Sequence, residues 1–166
     1  MKLSRILLSA LLISGMNLAY STTPAAPNYT PVQGQAGKDV IWIPTPEVLI
    51  DKMLTAAQVT DKDKVFDLGA GDGIIAITAA RKFGAQAVGI EFNPDMAQFA
   101  RRKVAEAGMT DKVKIITGDI FQEDFSSATV VTLYLMPHLN MKLRPTLLKM
   151  KPGTRVVSHA FTMGDW

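Results

Sequence analysis

The chain has 166 residues, no cysteine and 48% hydrophobic residues, which fits a single compact domain. The absence of cysteine excludes a disulfide framework, a thiolate zinc site and a cysteine nucleophile. Removing Lys2 and Arg5, which lie in a predicted export signal, from the 18 basic residues leaves 16 against 15 acidic ones. So small a surplus gives no support to nucleic-acid binding, which requires clustered Lys and Arg side chains.

The N-terminal segment, residues 1–21, predicts a secretory signal peptide. Two basic residues precede an apolar stretch that ends at Leu18, and Ala19 and Ser21 supply the small residues of a cleavage site. The apolar stretch is shorter than the roughly 20 residues of a membrane-spanning helix. We therefore predict a periplasmic or secreted protein. The alternative is a protein tethered to the inner membrane through this segment, if the segment is not cleaved.

The rest of the chain predicts an arm followed by one α/β domain. Residues 22–39 are rich in Pro, Ala, Gln, Gly and Thr without an apolar period, so we predict a linker or arm there and a domain over residues 40–166. Within the domain, short β-type runs alternate with longer helical ones, which is typical of a mostly parallel sheet. The predicted elements are a helix over 45–59 capped by Thr45, a strand over 64–68, a helix over 72–83, a strand over 87–90, a helix over 93–107, strands over 113–117 and 129–135, a helix over 138–150 and a strand over 155–161.

A glycine-rich turn joins the first predicted strand to the helix that follows it. Gly69, Gly71 and Gly73 stand at alternate positions, where the lack of a Cβ atom lets the backbone approach a ligand closely. The dinucleotide fingerprint would need its third glycine one residue later, where the chain has isoleucine, so a nicotinamide-dependent oxidoreductase is disfavoured. Asp67 and Asp72 flank the turn with negative charge, which suits a ligand carrying an ammonium and a sulfonium better than a pyrophosphate.

Two further strand ends each present a carboxylate. Glu91 ends the second predicted strand, where it would accept hydrogen bonds from a ribose diol, and Phe92 beside it would stack on a ligand. Asp119 follows the third strand, where it would accept from an adenine amino group next to the apolar Ile120. Because the carboxyl ends of parallel strands meet at one edge of a sheet, we expect these residues and the glycine turn to form one site.

Together these motifs resemble the class I, Rossmann-like S-adenosylmethionine-dependent methyltransferases from about residue 40 onwards. The resemblance implies a doubly wound α/β sheet and S-adenosyl-L-methionine as the cofactor. In that superfamily the glycine turn holds the methionine end, the acid after the second strand holds the ribose, and the acid after the third strand holds adenine. Carried over, the predicted cofactor site comprises Asp67, Gly69, Ala70, Gly71, Gly73, Glu91, Phe92, Asp119 and Ile120.

Segments that flank the cofactor motifs indicate a particular family within this superfamily. Residues 43–46 (Ile-Pro-Thr-Pro), 133–137 (Leu-Tyr-Leu-Met-Pro) and 147–158 are similar to the protein-lysine methyltransferases that lack a SET domain, chiefly the ATP synthase c-subunit lysine methyltransferases. This resemblance implies a protein substrate, a lysine amino group as acceptor and no nucleic acid as partner. The superfamily binds the acceptor where the fourth strand ends, which points to Tyr134 as the predicted catalytic residue. The histidines, His138 and His159, do not have metal-ligand spacing, and no metal is predicted.

The end of the sequence raises a further expectation. The chain stops at Trp166, just after the fifth strand, whereas the superfamily sheet usually continues with two more strands. We therefore expect a sheet truncated after the fifth strand, and possible pairing of two copies through its exposed edge. Export would also separate the protein from the cytoplasm, where the cofactor is made. The alternative function is therefore a non-catalytic module that binds an S-adenosyl ligand.

Overall fold

The computed structural model describes residues 29–166, and the predicted signal peptide lies outside this range. The helices are α1 (Glu47–Ala56), α2 (Ile74–Phe83), α3 (Pro94–Glu106) and α4 (Pro137–Leu147). The strands are β1 (Lys64–Leu68), β2 (Gln86–Glu91), β3 (Val113–Thr117), β4 (Val130–Leu133) and β5 (Arg155–Ser158). Each predicted helix and strand is therefore present, in the predicted order.

The five strands form one parallel sheet in the order β3-β2-β1-β4-β5. From β1 the chain first moves outward through β2 to β3, and it then returns to the other side of β1 to build β4 and β5. This reversal places the topological switch point between β1 and β4, the position at which open α/β sheets bind their ligands. The predicted doubly wound, mostly parallel Rossmann-like sheet is confirmed.

Apolar side chains cover both faces of the sheet. Helices α1, α2 and α3 pack on one face, where Leu54 and Ala100 join Val65 of the central strand β1 in the core. Helix α4 packs on the other face, where Leu143 joins Phe66 of the same strand. Successive residues of a strand point to opposite faces, so the adjacent Val65 and Phe66 of β1 serve the two layers. The carboxyl edge of the sheet is thereby held between two rigid layers.

Two predicted helix starts are wrong for backbone reasons. Pro46, and not Thr45, occupies the N-cap of α1, and its carbonyl oxygen accepts the first two amide hydrogen bonds of that helix. Helix α2 begins at Ile74 because Gly73 has a φ of 78°, in the left-handed region, where a residue cannot continue a right-handed helix. The preceding acid, Asp72, therefore belongs to the turn and not to the helix.

The ends of the last two strands also differ from the prediction. Strand β4 stops at Leu133, so Tyr134 and Leu135 belong to the loop that leads into α4. Strand β5 stops at Ser158 and not at residue 161, because Ala160 takes a φ of 62° and turns the chain. In both places, residues at the carboxyl edge of the sheet are not paired in the β-ladder. Their side chains are therefore available to line a site at that edge.

The described part of the predicted arm lies against the domain. Gly34 N donates to the carbonyl oxygen of Trp42 over 2.8 Å, and Trp42 N donates to that of Gln35 over 2.9 Å, which closes a narrow hairpin. Arg102 of α3 donates to the carbonyl oxygen of Tyr29 over 2.8 Å and ties the start of this segment to the domain. Within residues 29–166, no helix combines the length and the apolar character needed to cross a membrane.

Candidate active site

A cleft opens at the carboxyl edge of the sheet, beside the switch point. It encloses about 1020 Å³, part of which is open to solvent. The glycine turn, the residues after β2, β3 and β4, and the arm segment 35–43 form its walls. The lining includes most of the residues predicted from the sequence: Asp67, Gly69, Ala70, Gly71, Glu91, Phe92, Asp119, Ile120 and Tyr134.

Gly73 does not line the cleft. A Cβ atom at this position would lie 3.2 Å from the Cβ atom of Ala100 and 3.4 Å from Cδ1 of Ile115. Gly73 therefore lets helix α2 pack closely against α3 and β3, and its left-handed φ starts the helix. Its place in the motif reflects packing, which the spacing of glycines alone does not reveal.

The glycine turn is anchored to the neighbouring strand and covered by the arm. Gly71 N donates to Oε2 of Glu91 over 2.9 Å, which joins the turn to the end of β2. A Cβ atom on Gly71 would lie only 2.7 Å from Nε1 of Trp42. The indole ring of Trp42 thus packs directly on the backbone of the turn at Gly71, where a side chain would not fit.

Asp67 is a buried carboxylate with one oxygen left unpaired. Its side chain lies at the end of β1, the residue is 2% exposed, and Thr132 Oγ1 donates to Oδ1 over 2.6 Å. Oδ2 has no hydrogen-bond partner within residues 29–166. Burial raises the pKa of Asp67 to about 7, the hydrogen bond from Thr132 opposes this shift, and the nearby Asp72 and Glu91 add to it. A cationic group in the cleft would satisfy the free oxygen.

Asp72, the second acid of the turn, is neutralised from a neighbouring helix. Lys103 Nζ of α3 lies 2.5 Å from Oδ2 of Asp72, and both side chains are mostly buried. Of the two acids that flank the turn, Asp67 is therefore the one that offers uncompensated negative charge to the cleft. From the sequence, both acids were expected to place negative charge beside the turn, although only Asp67 was included in the predicted site. The pairing of Lys103 with Asp72 was not predicted, because it depends on how α3 packs.

Glu91 is held firmly at the end of β2. Its Oε1 accepts from Asn93 N over 2.8 Å, and its Oε2 accepts from Gly71 N. Burial raises the pKa of Glu91, although backbone hydrogen bonds from Asn93, Gly71 and Phe92 oppose the shift. Each carboxylate oxygen has a further lone pair, so the fixed side chain can still accept hydrogen bonds from a diol.

Asp119, after β3, contacts a lysine of the arm. Lys38 Nζ lies 2.8 Å from Oδ2 of Asp119 and 4.4 Å from the ring centroid of Phe92. The hydrogen bond from Lys38 lowers the pKa of Asp119, with help from the amide of Phe121. The predicted adenine end of the cleft is therefore crossed by an arm side chain that pairs with its acid.

Several lining residues were absent from the predicted site. They lie in the segment before α1 (Lys38, Trp42 and Thr45), at the start of α3 (Asn93 and Met96) and in α4 (Leu139). Trp42 was not predicted as a site residue, because its contact with Gly71 joins residues that are distant in the chain. Lys38 carried no signal, because it lies within a segment that lacks an apolar period.

The site has the donors and acceptors that S-adenosylmethionine requires. The unpaired Oδ2 atom of Asp67 suits its ammonium, and Glu91 suits its ribose diol. Among residues 29–166, no group of three His, Asp or Glu side chains is placed to hold a metal ion. The fold and the cleft define the class as the Rossmann-like S-adenosylmethionine-dependent methyltransferases.

Comparison with known proteins gives the family. Residues 67–166 match the model of the ANTKMT methyltransferase domain, and the chain belongs to that family. It is 45% identical over 129 residues to a protein-lysine N-methyltransferase of Saccharolobus islandicus (strain REY15A), which covers 76% of this chain and 80% of that protein. It is 33% identical over 104 residues to the ATP synthase c-subunit lysine N-methyltransferase of Mus musculus, which covers 60% of this chain but 40% of that protein.

A solved structure agrees with this family. The crystal structure of an RNA methyltransferase from Salinibacter ruber with bound S-adenosyl-L-homocysteine superimposes with a TM-score of 0.73 and 53% identity, over 75% of this chain and 82% of that chain. The predicted resemblance, the enzymatic activity of methyl transfer and S-adenosylmethionine as cofactor are thereby confirmed. The alternative of a non-catalytic binding module is set aside.

Proposed function

We propose that this methyltransferase acts on the amino group of a lysine in a protein. The observation that carries the proposal is the 45% identity to the archaeal protein-lysine N-methyltransferase, over 80% of that protein. The lining at the end of β4 agrees with it, because Tyr134, Leu135 and Leu139 offer an aromatic and apolar wall to the alkyl chain of lysine. The 53% identical structure described as an RNA methyltransferase makes RNA the second candidate acceptor.

Three of the described residues would bind the cofactor, and Tyr134 would bind the acceptor. When bound, S-adenosylmethionine supplies a methyl group on a sulfonium, which passes to the acceptor nitrogen as its lone pair forms the new C–N bond, the S–C bond breaks and one proton leaves for solvent. Asp67 would accept from the ammonium, Glu91 from the ribose diol and Asp119 from the adenine amino group. Tyr134 would line the path of the acceptor and hold it in line, since positioning supplies most of the rate in such a displacement.

The first test measures the cofactor and the acceptor together in the full chain. Calorimetric titration with S-adenosyl-L-homocysteine should show saturable binding that weakens by at least about tenfold in Glu91→Ala, because two anchored acceptor atoms are lost. Glu106→Ala, an exposed glutamate at the end of α3, is the matched control and should bind like the wild type. Tritiated methyl transfer should then label poly-L-lysine and not total RNA. Labelling of RNA alone would replace lysine as the acceptor.

We also propose export through residues 1–21. Fusion of the full chain to alkaline phosphatase should give periplasmic activity that is lost when Lys2 and Arg5 are replaced by Glu.

We further propose pairing of two copies through β5. Strand β5 pairs with β4 and with no other strand of the described chain, so its outer edge is open to a second copy. Sedimentation equilibrium should give a dimer. A monomer at all concentrations would exclude the pairing and leave the methyltransferase activity unaffected.

A further inference from the structure

A strained turn follows the last strand, at the same edge as the cleft. Ala160 has a φ of 62°, and Phe161 N donates across it to the carbonyl oxygen of His159 over 2.8 Å. This is a three-residue turn with a left-handed central residue, which is rare for a residue that carries a Cβ atom. Such backbone conformations persist only where surrounding contacts hold them, and they are concentrated at functional sites.

Three hydrogen bonds hold this turn, residues 159–161, in place. His159 N donates to the carbonyl oxygen of Leu133 over 2.8 Å, which docks the turn on the end of β4. Ser158 Oγ donates to the carbonyl oxygen of Phe161 over 2.6 Å, and Nδ2 of Asn140 donates to the same oxygen over 3.0 Å. Asn140 is fully buried in α4 and also donates to Ser158 Oγ over 3.3 Å. The buried side-chain amide of Asn140 thus stabilises the conformation of the turn.

The turn places two aromatic rings beside the predicted catalytic residue. The ring centroids of Tyr134 and His159 lie 4.5 Å apart at an interplanar angle of 70°. Those of Tyr134 and Phe161 lie 6.5 Å apart at 26°, so their faces are close to parallel. All three side chains are partly exposed. Tyr134 also lines the cleft, whereas His159 and Phe161 lie beyond its lining, so the cluster extends from the cleft towards solvent.

We propose that Tyr134, His159 and Phe161 form the binding site for the side chain of the substrate lysine. This inference rests on the proposed function and adds to it the residues that select the acceptor. An alkylammonium side chain combines apolar methylene groups with a cation, and aromatic faces attract both. The rings of Tyr134 and His159 are in contact, so the lysine would pack against the cluster and not between these two rings. Because Tyr134 also lines the cleft, this would lead the lysine nitrogen to the cleft.

The test separates acceptor binding from cofactor binding in the full chain. Phe161→Leu keeps an apolar side chain but removes the aromatic face, and it should raise KM for poly-L-lysine by about tenfold. The dissociation constant for S-adenosyl-L-homocysteine should stay within about twofold of the wild type, since Phe161 lies outside the cleft lining. His159→Gln should behave in the same way. His138→Gln, at the exposed start of α4, is the matched control and should leave both values unchanged.

Substitutions at Ala160 test the turn itself. Ala160→Gly keeps a residue that adopts positive φ readily, so KM should stay close to that of the wild type. Ala160→Val introduces a β-branched side chain that does not accept this φ, so KM should rise as it does for Phe161→Leu. Should the valine variant fail to fold, Phe161→Leu and His159→Gln still decide the matter.

Three outcomes would overturn the inference. The first is a wild-type KM in both Phe161→Leu and His159→Gln. The second is a loss of S-adenosyl-L-homocysteine affinity that parallels the rise in KM, because it would place the turn in cofactor binding. The third is a wild type that binds S-adenosyl-L-homocysteine but does not methylate poly-L-lysine. That last result would also refute the lysine acceptor, and it is recognised without any turn variant.

Discussion

At the scale of single residues, we expect Asp67 to make cofactor binding depend on pH. Burial raises its pKa to about 7, so near neutrality the free protein carries this carboxyl group partly protonated. A cofactor ammonium requires the carboxylate, so binding releases a proton and the affinity should rise with pH. Between pH 6 and pH 8 the gain should be about tenfold, because the charged fraction of Asp67 changes by that factor. Calorimetric titration with S-adenosyl-L-homocysteine over this range measures it.

Asp67→Asn supplies the control for this pH dependence. The amide cannot titrate, so the variant should bind more weakly at pH 8 and show no rise in affinity between pH 6 and pH 8. If the affinity of Asp67→Asn for S-adenosyl-L-homocysteine still rises between pH 6 and pH 8, a group other than Asp67 releases the proton. Glu91 is then the next candidate, since burial also raises its pKa.

At the scale of elements, the glycines of the turn have different places: Gly69 and Gly71 line the cleft, whereas Gly73 serves helix packing. Gly73 starts α2 with a φ of 78°, and an added Cβ atom would meet Ala100 at 3.2 Å. Gly73→Ala should therefore lower the free energy of unfolding by about 2 kcal/mol, through backbone strain and overpacking together. Gly108→Ala is a matched control, because Gly108 has a φ of 67° and an added Cβ atom would meet nothing within 4 Å.

The comparison of the two glycine variants isolates the packing contribution. Gly108→Ala should lose only about 1 kcal/mol, which is the backbone part of the effect. Denaturant titration measures both losses. Because Gly73 does not line the cleft, the affinity of the folded variant for S-adenosyl-L-homocysteine should change little. Equal losses in the two variants would show that Ala100 and Ile115 move aside and that α2 and α3 are loosely packed.

At the scale of the whole molecule, Arg155 connects the edge strand to two distant segments. Its Nη1 atom donates to the carbonyl oxygens of Ala57 and Gln58 over 2.9 and 2.8 Å, and its Nη2 atom pairs with Asp63, which is 6% exposed. Burial raises the pKa of Asp63, but hydrogen bonds from Thr129, Thr60 and Arg155 outweigh it and leave this pKa lowered. The cluster fixes β5 at the end opposite the aromatic turn.

Removal of this arginine should destabilise the protein at neutral pH. Arg155→Met leaves a buried carboxylate without its cation, so the free energy of unfolding should fall by about 3 kcal/mol. A lowered native pKa means that the stabilisation is present above the ordinary pKa of 3.8 and is lost as the pH falls below it. The difference between variant and wild type should therefore shrink in acid. Arg144→Met, which breaks the solvent-exposed pair with Asp165, should lose less than about 1 kcal/mol.

Much of the fold and of the cleft lining could be predicted from local pattern. Strands β1 and β3 were predicted with the bounds that the structure has, because short apolar runs between turn residues mark buried parallel strands. The acceptors Asp67, Glu91 and Asp119 followed from their places at strand ends, since parallel strands bring their carboxyl ends to one edge. The boundary errors at Thr45, Asp72 and the end of β5 arose where a proline or a positive φ decided the backbone.

Local sequence pattern was enough to predict the order of the elements, the parallel sheet and the acids that line the cleft, because these depend on periodicity and on chain direction. The tertiary structure alone decided which distant side chains meet. It paired Lys103 with Asp72, laid Lys38 across Asp119 and brought the turn at Ala160 beside Tyr134. Contacts of this kind join residues far apart in the chain, and their distances depend on how helices and the arm pack on the sheet. No local pattern records that packing.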